Sequence, residues 1–99
     1  MTNNSVSTDI VKAEASYEID LLNKATGVTF PKVAVYGNNT LGQLLAEYAA
    51  DIGINPNDSK VLFENKRTGA TTSDKNETVS GLGLMENDIL AVSDNAGVA

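Results

Sequence analysis

Thr40-Leu41-Gly42-Gln43-Leu44-Leu45-Ala46-Glu47-Tyr48-Ala49-Ala50-Asp51-Ile52-Gly53-Ile54-Asn55-Pro56 decides the fold, because it carries the start, face and stop signals of one helix. The Thr40 hydroxyl can accept the amide of Gln43 while the Gln43 side chain returns to the amide of Thr40, a capping box. Leu41, Leu44, Leu45, Tyr48, Ala49 and Ile52 fall on one stripe of the helical repeat, and Gln43, Glu47 and Asp51 lie off it. Gly53 stands where a left-handed C-terminal cap favours glycine, and Pro56 bars continuation. The expectation is a helix from Leu41 to near Ile52 with its stripe against a sheet.

The strands of that sheet are sought on both sides. Upstream, Tyr17, Ile19 and Leu21 alternate with Glu18 and Asp20, the pattern of a strand with one wet face. Asn23 to Gly27 carries turn residues and Val28 to Tyr36 resumes β-branched and aromatic content, so the two segments predict a hairpin. Pro31 cannot donate a ladder hydrogen bond, which places the second strand at a sheet edge or gives it a bulge. Downstream, Lys60 to Glu64 predicts a third strand around Val61, Leu62 and Phe63, and Asn65 to Glu77 an exposed polar loop pivoting at Gly69. Val79, Leu82 and Leu84 set apolar groups along an irregular segment, and Asp88 to Ser93 supplies a last strand with Ile89, Leu90 and Val92.

Residues 1–15 are rich in Asn, Ser and Thr and are expected as a tail, with at most a marginal helix over Thr8 to Ala15. The domain is then 16–94 and a second tail 95–99. No internal repeat is found, and no linker that would divide off a second domain.

From Thr40 onward the chain resembles ubiquitin. The run to Phe63 is similar to ubiquitin's helix, its Gly-Ile-Pro-Pro-Asp turn (here Gly53-Ile54-Asn55-Pro56-Asn57-Asp58) and its third strand. Thr78-Val79-Ser80-Gly81-Leu82-Gly83-Leu84-Met85-Glu86-Asn87-Asp88-Ile89-Leu90 resembles the family's Thr-Leu-Ser segment, its apolar turn and the start of its last strand. Ala25-Thr26-Gly27 looks like the Leu-Thr-Gly turn, in a hairpin that needs one residue inserted. The resemblance implies an α+β, ubiquitin-like β-grasp fold: a mixed four- to five-stranded sheet packed on one helix, its second strand at an edge. The expected core is Tyr17 or Ile19, Val33, Val35, Leu44, Leu45, Tyr48, Phe63 or Val61, Leu84, Leu90 and Val92.

What the resemblance implies about function is narrower. Family modifiers and sulfur carriers use a flexible C-terminal Gly-Gly, whereas this chain ends Asp94-Asn95-Ala96-Gly97-Val98-Ala99. Conjugation would need a protease to remove Val98 and Ala99 and expose Gly97. Positions similar to the family's hydrophobic recognition patch are Ala25, Leu62, Ala91 and Ser93, which leave one large apolar group. Lys66 follows Phe63 as a chain-forming lysine does in ubiquitin, although Lys66-Arg67 also reads as a solvated basic pair. Leu62, Lys66 and Arg67 are the candidate protein-contact residues.

Composition bounds the rest. Ninety-nine residues, 41% hydrophobic and 20% charged, suit one globular domain. Zero Cys and zero His remove thiolate chemistry, cysteine-ligated zinc and the commonest general base. A net charge of -6 opposes binding to nucleic acid or anionic lipid and favours a protein partner. No run has signal-peptide or membrane-spanning length, so the expected place is the cytoplasm. Asp74, Asn76 and Glu77 lack the spacing of a calcium loop. Glu47 and Asp51 read as surface charge, Gly81 and Gly83 as turn residues, and the Asn-x-Ser/Thr triplets at Asn3, Asn38, Asn57 and Asn76 as chance. The sequence thus predicts a monomeric interaction module with no catalytic, metal or cofactor site, with a modifier precursor ending at Gly97 as the alternative.

Overall fold

The computed structural model of the chain describes residues 16–58 and 60–94. The two expected tails, the marginal helix over Thr8 to Ala15 and Gly97 all lie outside the described residues.

Strand β1 (Ser16–Asn23) forms the expected hairpin with β2 (Thr29–Tyr36). Helix α1 (Leu41–Ile52) comes next, then β3 (Leu62–Asn65), a two-residue β4 (Thr71–Thr72) and β5 (Ile89–Ser93). They make one five-stranded sheet in the order β2-β1-β5-β3-β4, with β1 and β5 parallel and the other pairs antiparallel. A mixed sheet with its first and last strands side by side and one helix on a single face is the β-grasp arrangement the resemblance implied.

Alternation sets the sheet's two faces. Ile19 and Leu21 of β1, Val33 and Val35 of β2, Phe63 of β3, and Leu90 and Val92 of β5 point toward α1 and are buried, as are Leu41, Leu44, Leu45, Ala49 and Ile52 of the helix stripe. Of the alternatives at two core positions, Ile19 is buried with Tyr17 packed at the margin, whereas Val61 and Phe63 are both buried. Tyr48 is half-buried, its ring tilted against Phe30 at 5.3 Å between centroids. Val79, Leu82 and Leu84 close the bottom of the core from an irregular turn.

The helix ends match the sequence reading. The Thr40 hydroxyl accepts the Gln43 amide at 3.1 Å and Gln43 Oε1 accepts the Thr40 amide at 2.8 Å. Gly53 closes the C-terminus at φ 77°. The expectation for Pro31 is met twice: β2 is an edge strand, and its register against β1 slips between Ile19↔Val33 and Leu21↔Phe30. The one extra residue of the hairpin is taken up in this bulge. There Lys32 adopts φ 59° and donates its amide to Asp20 Oδ1 at 3.0 Å.

The segment Asn65 to Glu77 is largely exposed, as expected, but is not a loop throughout. Asn65 is fully buried, Thr71–Thr72 adds a strand, and the stretch beyond that strand is fastened to the helix start. Leu41 and Gly42 donate their amides to the carbonyls of Glu77 and Lys75 at 2.8 and 2.9 Å, satisfying donors that a helix N-terminus otherwise leaves unpaired. Such an approach needs glycine at 42, because a Cβ there would stand 2.9 Å from the Lys75 carbonyl oxygen. The Lys75 ammonium donates to the carbonyls of Pro56 and Asp58, at 2.9 and 3.1 Å, on the segment leaving the helix.

Candidate protein-contact face

The helix covers one face of the sheet and leaves the other to solvent. Alternation and register set nine side chains of the three central strands beside one another there: Asp20, Leu22 and Lys24 from β1 and its end, Ile89, Ala91 and Ser93 from β5, and Leu62, Glu64 and Lys66 from β3 and its end, with Glu18 and Ser16 farther along β1. Leu62 and Ile89 are each 38% exposed and Leu22 is half-buried. Ala91 faces away from the core and yet is only 1% exposed.

Larger neighbours flank this small side chain, and an ion pair between two of them spans it. Lys24 Nζ meets Glu64 Oε1 at 2.7 Å, and because β5 runs between β1 and β3 the contact must cross β5. Glu64 and Leu22 are the two register partners of Ala91, so the bridge lies over its methyl group. A larger side chain at 91 would obstruct it. The hydrogen bond from Lys24 holds the Glu64 carboxyl below the usual carboxylate range, against a lesser opposing effect of partial burial, and the nearby Lys66 charge adds to the lowering. Lys66 is exposed and has no ion pair among the described residues.

Arg67 departs from the solvated basic pair expected of it. Its Nε donates to both carboxylate oxygens of buried Asp88, at 2.9 and 3.1 Å, and Nη2 donates to the Gly83 carbonyl at 2.8 Å. Asp88 also accepts the Met85 amide at 2.8 Å. The hydrogen bond from Arg67 is the main cause that keeps Asp88 ionised below the usual range, and the same bond raises the guanidinium. Of the three candidate contact residues, then, Leu62 and Lys66 share the outer face while Arg67 fastens the β3–β4 turn to residues 83–88. Among the positions similar to the family's patch, Leu62, Ala91 and Ser93 are neighbours on this face and Ala25 is in the β1–β2 turn.

The two turns that present the lysines are copies of one another. Asn23-Lys24-Ala25-Thr26-Gly27 and Asn65-Lys66-Arg67-Thr68-Gly69 share one pattern, which corrects the expectation of no internal repeat at the scale of five residues. In each, the asparagine Oδ1 accepts the amide two residues on at 3.0 Å, and the glycine, at φ 81° or 80°, donates to the asparagine carbonyl at 2.7 Å. The threonine Oγ1 accepts the amide two residues later at 3.2 Å in both. Each asparagine is buried and spends its amide group on a distant carbonyl: Asn23 on Ile52 at 2.7 Å and Asn65 on Leu82 at 3.1 Å. Each lysine amide bonds to β5, Lys24 to Val92 and Lys66 to Ile89. The recurring Asn-Lys-x-Thr-Gly is the sequence signal for Lys24, which the motif reading did not single out, whereas no local pattern marks its partner Glu64.

No protein-family model matches the chain and no curated protein matches it in sequence. Solved structures do match in shape. The ubiquitin-like domain of yeast Ddi1 superposes with a TM-score of 0.61 at 21% identity, over 81% of this chain and 90% of that one. Tubulin-binding cofactor B of Trypanosoma brucei gives 0.64 at 12% identity, over 81% and 95%. The N-terminal ubiquitin-like domain of the same cofactor from Drosophila melanogaster gives 0.61 at 16%, over 81% and 85%. At these identities the likeness establishes the fold.

Proposed function

We propose that this chain, which has the ubiquitin-like β-grasp fold, is a non-enzymatic module that binds a protein partner through the outer face of its sheet. The observation that carries the reading is the face itself. It is uncovered by the helix and sets Leu22, Leu62 and Ile89 among charged groups, the mixture of apolar centre and polar rim found where proteins meet.

Leu62 and Lys66 are the contact residues under this reading, with Arg67 holding the turn from which Lys66 projects. Leu62→Asp tests it. Affinity capture with wild-type and variant protein should recover a partner that the variant loses, while the variant's unfolding midpoint stays near wild type because residue 62 is exposed. Equal recovery of every specific partner by both proteins would count against the face. The modifier reading rests on Gly97 alone, and a mature mass ending at that residue would favour it.

A further inference from the structure

Lys24 and Lys66 hold the same position in two copies of one turn, yet they are used differently. Lys24 is bound to Glu64, and Lys66 has no ion pair among the described residues. Glu64 lies across β5 from the first and two residues before the second on the same side of β3, so it stands between two ammonium groups. In its present position the carboxylate closes a bridge over Ala91. Turned toward Lys66 it would remain paired while β5 lay open between Leu22 and Leu62. Exchange between such positions needs only the breaking of a pair that is partly open to water, Lys24 being 50% and Glu64 18% exposed, and pairs reached by water are weak.

We propose that Glu64 is a two-position switch between Lys24 and Lys66, and that its move to Lys66 admits a partner segment carrying an aliphatic side chain and a carboxylate. The inference rests on the outer face being the contact surface and adds how access to it is governed. The partner chemistry is set by what opening exposes. Leu22, Ala91 and Leu62 form an apolar strip, and Lys24 is left beside it without its counter-charge. An aliphatic group fills the first and a carboxylate replaces Glu64 on the second. Of the other acids that β1 sets on this face, Asp20 is held at the β2 bulge by the Lys32 amide and Glu18 lies six residues from Lys24 along the strand, so neither competes for Lys24.

The test uses the whole chain and two acetylated, amidated tripeptides, leucine-aspartate-leucine and leucine-asparagine-leucine, monitored by NMR at the Ala91 methyl and the Glu64 carboxyl carbon. The aspartate peptide should move both signals and bind about two- to fivefold more tightly than the asparagine peptide, the range open to one exposed ion pair. Lys24→Met should abolish that preference. Lys66→Met, which leaves the observed bridge in place but removes the second position, should weaken the aspartate peptide by about two- to fivefold. Unchanged affinity in Lys66→Met, equal binding of the two peptides, or no response at this face overturns the switch. Shifts at Leu22, Leu62 and Ile89 without movement of Ala91 and Glu64 also overturn it, yet leave the face standing as a contact surface. That wider reading is judged separately, by capture with Leu62→Asp.

Discussion

Asn23 and Asn65 are each buried side-chain amides with both ends committed, one to the amides of a turn and the other to a carbonyl from a different part of the chain. A buried polar group left without its partner costs more than the bond itself returns, so Asn65→Ala should destabilise the fold by about 1–3 kcal/mol, read from the urea midpoint. Asp88 supplies a pH dependence. Its carboxyl is held low chiefly by the hydrogen bond from Arg67, so its stabilisation is complete above the ordinary carboxylate pKa and is lost as pH falls through the lower folded value. Asp88→Asn should lower stability at neutral pH and flatten the acid limb of a stability profile. An unchanged profile would show that Asp88 is not the source. Little of this was legible beforehand. The turn at Asn23 was evident from its glycine, but the partners of Asn65 and Arg67 lie 17 and 21 residues away, where no local pattern points.

Helix α1 and the segment packed on its start show where local signals suffice. The capping box, the apolar stripe and Gly53 are each contained within one or two helical turns, and the structure matches them residue for residue. Order from Lys75 to Glu77 comes instead from main-chain carbonyls meeting the first amides of α1, an interaction written in no side-chain pattern apart from the glycine at 42. Gly42→Ala is therefore the telling substitution. In a free helix alanine would be favoured by about 1 kcal/mol. Here its methyl meets the Lys75 carbonyl, and the expected result is a net loss of stability with faster hydrogen exchange at the Leu41 and Gly42 amides. A gain in stability would mean that the segment yields freely. Thr40→Ala, by contrast, should cost about 1 kcal/mol through the lost cap alone.

Both edges of the sheet are blunted, which bears on how the whole molecule meets its surroundings. On one side β4 is two residues long. On the other, Pro31 and Lys32 bend β2 away from straight pairing, and past the bulge the Tyr36 amide is taken by Asn39 Oδ1 at 2.9 Å. A sheet so finished offers little to a second strand, and the chain is expected to elute as a monomer. Replacing Pro31 by Val together with deleting Lys32 should straighten the edge and produce concentration-dependent self-association in sedimentation. Continued monomeric behaviour would show that the bulge is not the safeguard. Pro31 announced this much in the sequence, since a missing amide is a local property. The outer face was harder to foresee, because the bridge over Ala91 joins residues forty positions apart.

Lys75 touches the helix entrance through its carbonyl and the helix exit segment through its ammonium. A tether of that kind makes unravelling cooperative: neither end can fray far before the same residue has let go of the other. Under tension, or in rare thermal openings, α1 and the excursion from 71 to 78 should come apart as a single foldon, and Lys75→Met should split that event into two with separate rates.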